Sequence, residues 1–476
     1  MVRAAFAAGD DASPVLLSSV GRVSVTKGTW GYPDPGRIIR DRIGAPDATS
    51  VLVEVGIPQQ TVIDESLTAL LEGDVDAALV VGGEAKARDA RLRARSTQAD
   101  AGGIAEVFRG DAAGAESDQG DVAPDVHQRP AGDLVDPAEL EAGLWAPVDQ
   151  YALIENALAA SEGVSPDALR ADVAALYERF NRVARDNPDA AFPAPMTASE
   201  LATFAPDNRP LSFPYAKWHV TQWTVDQAAA LLFCTVEAAE RAGVPREQWI
   251  FPLVGLGSSH MAPLTQRADL HRWPAMQVLG RAAEERLGKP LAECDHVELY
   301  SCFPVAVRVQ QRELGLPLDG TPTVTGGMSF AGGPFNSFVF QALAEMVRRL
   351  RAEGGTGLVT SVSGLLTKPG LGVWSAESDG RPPLIADLAE DVVAATATRA
   401  VVLSATGPGT IATATVTHQG QDPAELVAIV DLDTGERGVA RSDDASLIQR
   451  AMTTGVVGDT VHLAAGRITP TPGKSL

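Results

Sequence analysis

The sequence predicts a layered α/β protein built on a duplicated unit, and two distant segments carry the prediction. GIPQQTVIDESLTALLEG leads into DAALVVGGE at Asp76 to Glu84, and GGPFNSFVFQALAEMVRRLRAEGG leads into GLVTSVSG at Gly357 to Gly364. Each runs loop, proline, helix, glycine, apolar strand, glycine. Short apolar strands alternating with helices of this length indicate a mainly parallel sheet covered on both faces. In the second copy Val339, Ala342, Leu343, Met346, Val347 and Leu350 recur at three- and four-residue spacing, which makes a helix. Asn336 is its expected cap; Arg348, Arg349 and Arg351 crowd its last turn, and Gly354 and Gly355 stop it.

A third unit is expected between these two, with a helix over Val225 to Ala242 leading into the apolar run Trp249 to Val254 and GLGSSH. Residues of roughly 85 to 125 read as an exposed loop, rich in Ala, Gly, Asp and Arg. From Asp136 to Asn187 the spacing of Leu153, Ile154, Leu158, Leu169, Val173, Leu176, Tyr177 and Phe180 is helical, an insertion. The proline-containing stretch from Pro193 to Trp218 then returns the chain to the sheet as a lid or crossover candidate. After the linker ESDGRPP, the tail has strand periodicity with a turn at Asp433 to Gly435, and its last pair, around Val456 to Ile468, suits a small barrel of the oligonucleotide/oligosaccharide-binding type. The expected divisions are a first half over 1–118, a loop and helical insertion over 119–210, a second half over 211–378 and a small β domain over 384–476.

A chain of 476 residues holds several domains. Its net charge of -22 disfavours nucleic acid and anionic membrane surfaces as partners, so a phosphorylated ligand needs a local basic pocket. Three cysteines, Cys234, Cys294 and Cys302, make neither a disulfide framework nor a metal motif, and the cytosol is the expected compartment. No apolar run approaches the roughly 20 residues of a membrane span, and MVRAAFAAG lacks the apolar centre of a signal peptide. A P-loop lysine and a Gly-x-Ser-x-Gly elbow are both missing.

The densest chemistry lies between Glu298 and Trp374. ELYSCFP ends an apolar run, and the glycine loop GGMSFAGGP opens the second helix. Amides of Gly326, Gly327, Gly332 and Gly333 there are expected to face an anion or a developing oxyanion, or else simply to permit a tight turn. Cys302 is the candidate nucleophile, activated by that helix end; the competing reading is a buried thiol packed as a small hydrophobe. Tyr300 is a candidate acid/base, against a core tyrosine with its hydroxyl bonded. His260 follows a predicted central strand, where ligands of α/β proteins gather, and competes with a backbone-bonded loop histidine. His296 is a face residue of the strand before Tyr300.

The order PQQ-helix-VVGGE, WTVDQAAALL, ELYSCFP, TGGMSFAGGP-helix and TKPGLGVWS resembles the thiolase superfamily, specifically thiolase-like proteins akin to the sterol-carrier-protein-x thiolases, with an added C-terminal domain. The resemblance reaches to about Ser375 and implies the five-layered αβαβα fold, a homodimer, and acyl-CoA or related thioesters as ligands, coenzyme A entering as part of the substrate rather than as a cofactor. It also places His219, Trp223 and Asp226 near the pocket, where the alternative for Asp226 is a helix cap. The departures are specific. Val55, Gly56 and Ile57 hold the place of the acyl-accepting Cys-x-Ser stretch. Gly332, Gly333 and Pro334 match Gly-His-Pro without its histidine, and the second cysteine element falls on Ser361 to Gly364. In ELYSCFP, Tyr300 stands for histidine and Ser301 for aspartate. The PQQ helix also arrives early, so the first strand of the family fold is expected to be absent or replaced. Three functions follow: a thiolase-like acyltransferase using Cys302, a CoA-thioester aldolase using Tyr300, or a non-catalytic acyl-CoA or lipid binder.

Overall fold

In the computed structural model, which describes residues 1–95, 122–130 and 135–469, two sheets and a barrel account for all fifteen strands. The first sheet holds β1 (Val20–Thr26), β2 (Thr49–Val53), β3 (Ala77–Ala85), β4 (Val126–Gln128) and β5 (Asp226–Cys234) in the order β4-β2-β1-β3-β5. All neighbours are parallel except β5, which runs antiparallel to β3. Every residue of β3 but its last is buried, as a strand between two helical layers requires. The second sheet holds β6 (Phe251–Gly257), β7 (His296–Glu298), β8 (Thr356–Ser363), β9 (Lys368–Ser375) and β10 (Leu384–Asp387) in the order β10-β6-β9-β8-β7, with β9 antiparallel to both neighbours.

Helices Gln59–Leu71 and Phe338–Glu353 lie between the sheets and touch strands of both. Helices Val2–Asp11 and Pro35–Ile43 cover the first sheet outside, and Pro274–Leu287 covers the second, which completes five layers. The central helices come very close to the strands: a Cβ built on Gly370 of β9 would fall 2.6 Å from Gln60 Cβ. They also share a cap. Gln59 Oε1 accepts from Val339 N at 2.8 Å, so one half's helix finishes the other's first turn. Asn336, the expected cap, instead donates from Nδ2 to Lys27 O, because the chain between it and the helix turns through Ser337.

Helices Pro137–Glu141, Pro147–Ser161 and Pro166–Asp186 form the insertion. It is pinned by a buried ion pair: Arg308 Nη1 meets Glu155 Oε1, whose other oxygen accepts from Tyr215 OH at 2.8 Å. The tail forms β11 (Gly407–Gln419), β12 (Asp422–Leu432), β13 (Arg437–Ser442), β14 (Thr460–Ala464) and β15 (Arg467–Thr469), closed in the order β11-β12-β13-β15-β14 with β14 paired back to β11. One parallel pair, β13 with β15, and a helix, Ala445–Thr453, before β14 complete the expected small barrel. It is docked by Thr413 Oγ1 and Asn156 Nδ2 and by the fully buried Arg437, which reaches the carbonyls of Thr265, Arg267 and Ala268.

Four expectations need correction. Val225 to Ala242 is not one helix: residues 226–234 pair along the whole of β3, and only Val236–Arg241, capped by Thr235, is helical. The first strand is not missing, since β1 sits at the centre of its sheet. The division at 118 and 211 fails because β4 and β5 both complete the first sheet, and β10 continues the second sheet beyond the expected linker. The exposed loop over 85–125 begins as helix Lys86–Arg95, and its span from 96 to 121 lies outside the described residues.

Candidate active site

Strand β7 ends at Glu298, a fully buried carboxylate that organises everything after it. Its oxygens accept from Val324 N at 2.6 Å, Thr325 N at 2.9 Å and the Thr323 and Thr325 hydroxyls, which fixes the approach to the glycine loop. Burial pushes its pKa up to about 7, with those hydrogen bonds pulling back.

Tyr300 and Cys302 follow directly. Tyr300 is 7% exposed, sits edge-on to Phe338 at 5.9 Å, and is held by Thr360 and Gln310 through its backbone. Burial drives its hydroxyl far above the ordinary value, with a Gln59 bond opposing. The Cys302 thiol is pushed up to about 12 by burial, with a hydrogen bond from Tyr151 opposing and no cation contributing. Burial thus favours the thiol over the thiolate that a nucleophile needs, although the residue is only half-buried. Tyr151, stacked on Phe303 at 4.2 Å, and Tyr177 complete an aromatic wall around it.

The glycine loop does come to Cys302, but several of its amides are engaged elsewhere. Gly326 N donates to Thr323 Oγ1, Gly327 N to Thr325 Oγ1, Met328 N to Ser301 Oγ and Gly333 N to Gln222 O. Gly332 lies against Gln227, which donates to Ala331 O. Segment 217–223 runs between the two as a strap: Thr221 bonds Cys302 O through both N and Oγ1, Gln222 N bonds Met328 O, and Ser329 Oγ bonds Val220 O. At Gly326, with φ of 95°, a Cβ would fall 2.4 Å from the backbone N of Ala184, so here glycine serves close helix packing. Of the four glycine amides expected to form the oxyanion cradle, those of Gly326, Gly327 and Gly333 are therefore engaged within the protein.

The other expected residues are dispersed. His219 is buried under the strap with Nδ1 accepting from Ala216 N, and burial lowers its pKa to about 3. Trp223 holds Lys86 Nζ over its ring at 2.7 Å. Asp226, exposed, accepts from Arg88 N and pairs with Arg91 at 2.5 Å, so it anchors helix Lys86–Arg95. His260 lines a separate cavity of about 60 Å³ with Arg267, Trp273, Leu366 and Thr367. Its pKa is lowered by burial. His296 touches Gly354 O at 3.3 Å on edge strand β7.

A solved structure resembles this arrangement from end to end: the crystal structure of a monomeric SCP2-thiolase like protein type 1 (STLP1) from Mycobacterium smegmatis. It matches at 26% identity and a TM-score of 0.77, covering 96% of this chain and 90% of that one. The chain is similar over nearly its whole length to that SCP2-thiolase-like protein and has its thiolase-like fold. The fold is shared more distantly by the Ltp2-ChsH2(DUF35) aldolase, at 16% identity and a TM-score of 0.53 over 76% of this thiolase-like chain and 88% of that one. Human mitochondrial 3-ketoacyl-CoA thiolase shares it at 17% identity and a TM-score of 0.54, over 79% and 92%. No protein-family model and no curated protein matches the sequence.

In this thiolase-like protein the turn at Gly56 meets the hairpin that carries Ser361. Lys368 Nζ, on β9, donates to Gly56 O at 3.1 Å, and Ser361 lies on the same face of the β8–β9 hairpin. Sequence reasoning missed Lys368. Its signal was a lone charged residue opening TKPGLGVWS, a run in which all eight residues of β9 prove buried.

Proposed function

We propose that the protein binds an acyl-CoA or related thioester where the turn Glu54–Ile57 meets the β8–β9 hairpin, and that it does not run two-cysteine thiolase chemistry. One observation carries this: Lys368 Nζ meets the Gly56 carbonyl beside the unpartnered Ser361 hydroxyl, while burial pushes the half-buried Cys302 thiol away from the thiolate. The acyltransferase reading with Cys302 as nucleophile is correspondingly weakened. A carbon-carbon lyase on a thioester is the second reading, favoured by the aldolase among the solved structures of similar fold and by the fused barrel. Tyr300 serves it poorly, because its hydroxyl is held protonated and bonded to Gln59.

The test is equilibrium binding of acetyl-CoA and acetoacetyl-CoA with wild type and Cys302→Ser. Saturable binding unchanged by the substitution is expected. Absence of binding at millimolar ligand overturns the thioester reading, and loss of turnover in Cys302→Ser restores the transferase.

We further assign the protein to the cytosol, on three unpaired cysteines and no described helix long and apolar enough to cross a membrane. The homodimer stands as a proposal too. Edge strand β5 borders an open, largely apolar groove of about 1170 Å³ that a second copy would cover; light scattering distinguishes this from a monomer.

A further inference from the structure

We propose that Lys368 captures a carbonyl carbon, forming an imine between its ε-amine and a ketone or aldehyde group presented at the turn Glu54–Ile57. The proposal takes its ligand class from the thioester reading, but its chemistry stands on the following geometry.

Lys368 is 3% exposed, and its Nζ has one hydrogen-bond acceptor, the Gly56 carbonyl. Among the described residues no carboxylate pairs with it. The same molecule shows what a structural buried cation looks like: Arg308 is matched by Glu155, and Arg437 by Asp431 and carbonyls from the 265–268 segment. An ammonium at Lys368 leaves two donors unused in a buried place, so its charged form is disfavoured relative to a solvated lysine, and burial lowers its pKa accordingly. A desolvated lysine is a nucleophile toward carbonyls.

A second group points to a ligand at the same place. Ser361 is 1% exposed, and its hydroxyl has no hydrogen-bond partner. In the hairpin register Ser363 faces Lys368 and Ser361 faces Gly370, so the Ser361 and Lys368 side chains share one face, two positions apart. That face meets the start of helix Gln59–Leu71: a Cβ built on Gly370 falls 2.2 Å from Ser361 Oγ and 2.6 Å from Gln60 Cβ. The helix itself has no side-chain cap at Pro58. The nearest acid on it, Asp64, is engaged by Gln60 Nε2 at 2.8 Å, and Arg267 is turned to the Leu365 carbonyl. The cover is thin, since Glu54, Val55 and Ile57 are only half-buried.

The step balances without a redox partner. The amine lone pair forms the C–N bond as the carbonyl π pair moves to oxygen. The two amine protons leave with that oxygen as water, and the imine remains. Its protonated form withdraws electrons from the neighbouring carbon-carbon bond, the sink that a lyase needs. Ser361 Oγ is the positioning group that donates to the carbonyl oxygen.

The full-length protein is treated near neutral pH with sodium cyanoborohydride and either acetoacetyl-CoA or propanal, and adducts are mapped by peptide mass spectrometry over its six lysines, Lys27, Lys86, Lys217, Lys289, Lys368 and Lys474. Lys368 is expected to be labelled roughly tenfold ahead of the others, as an amine whose pKa is lowered should be. Ser361→Ala should slow this labelling several-fold without moving it elsewhere. Lys368→Arg should abolish it with the thermal midpoint retained; the wild-type map decides the question even if that variant fails to fold. Labelling of Lys368 by propanal with no thioester bound keeps the inference and sinks the thioester reading. Labelling ordered by exposure, with Lys368 unmodified by propanal, overturns the inference.

Discussion

The two halves begin their central helices in opposite ways. In the second half the chain approaching helix Phe338–Glu353 is tied down at each step: Glu298 gathers four donors, and Gly326, Gly327, Met328 and Gly333 all spend their amides internally. In the first half the turn before helix Gln59–Leu71 is uncapped, and its Gly56 carbonyl is met only by a buried lysine. A reactive residue type near a helix start is thus a poor guide to a site. What separates the two places is whether the polar groups around the residue already have partners.

Removing the organiser of the closed half should have the largest effect. Glu298→Ala leaves four buried donors without an acceptor, and at roughly 1 to 3 kcal/mol each the loss should be about 4 kcal/mol or more, read by chemical denaturation. The same residue makes stability depend on pH. Its folded pKa of about 7 lies above its ordinary value, so its contribution is complete below about 4.5 and is lost as pH rises through 7. The span is on the order of 3 kcal/mol. Glu298→Gln should flatten that segment of a stability profile measured between pH 4.5 and 8, and an unchanged slope would show that other groups set it. Smaller again is Gln59→Ala, which strips the shared cap from Val339 N and should cost about 1 kcal/mol. Smallest in stability is Lys368→Met in the open half: a buried amine with one hydrogen bond and no counter-charge contributes little or negative stability, so its removal should leave the thermal midpoint level or raised. A drop comparable to that of Glu298→Ala would erase the contrast between the halves.

Much of the fold was legible because it is written locally. The periodicity of Val339 to Leu350 and the unbroken apolar run of β3 each fix an element without reference to the rest. Strand β5 was not, since DQAAALLFC is alanine-rich with no alternation, and only pairing with β3, far away in sequence, makes it extended. The site divides along the same line. The meeting of Ser301–Cys302 with the glycine loop was readable from their order, and it occurs through Met328 N and Ser301 Oγ. The strap that neutralises it comes from residues 217–223, whose place is set by tertiary bonds to Cys302, Met328 and Gly333. Lys368 acquires its meaning only from Gly56, 312 positions earlier.

The guanidinium of Arg437 has one further implication. It is 1% exposed and reaches from β13 into the 265–268 segment, where Arg267 in turn holds the Leu365 carbonyl just ahead of Lys368. The C-terminal barrel is thus a keystone rather than an appendage. Cutting the chain before Gly407 would withdraw the peg that seats this segment, so a truncated form is expected to arrive with a loosened hairpin even where its sheets survive.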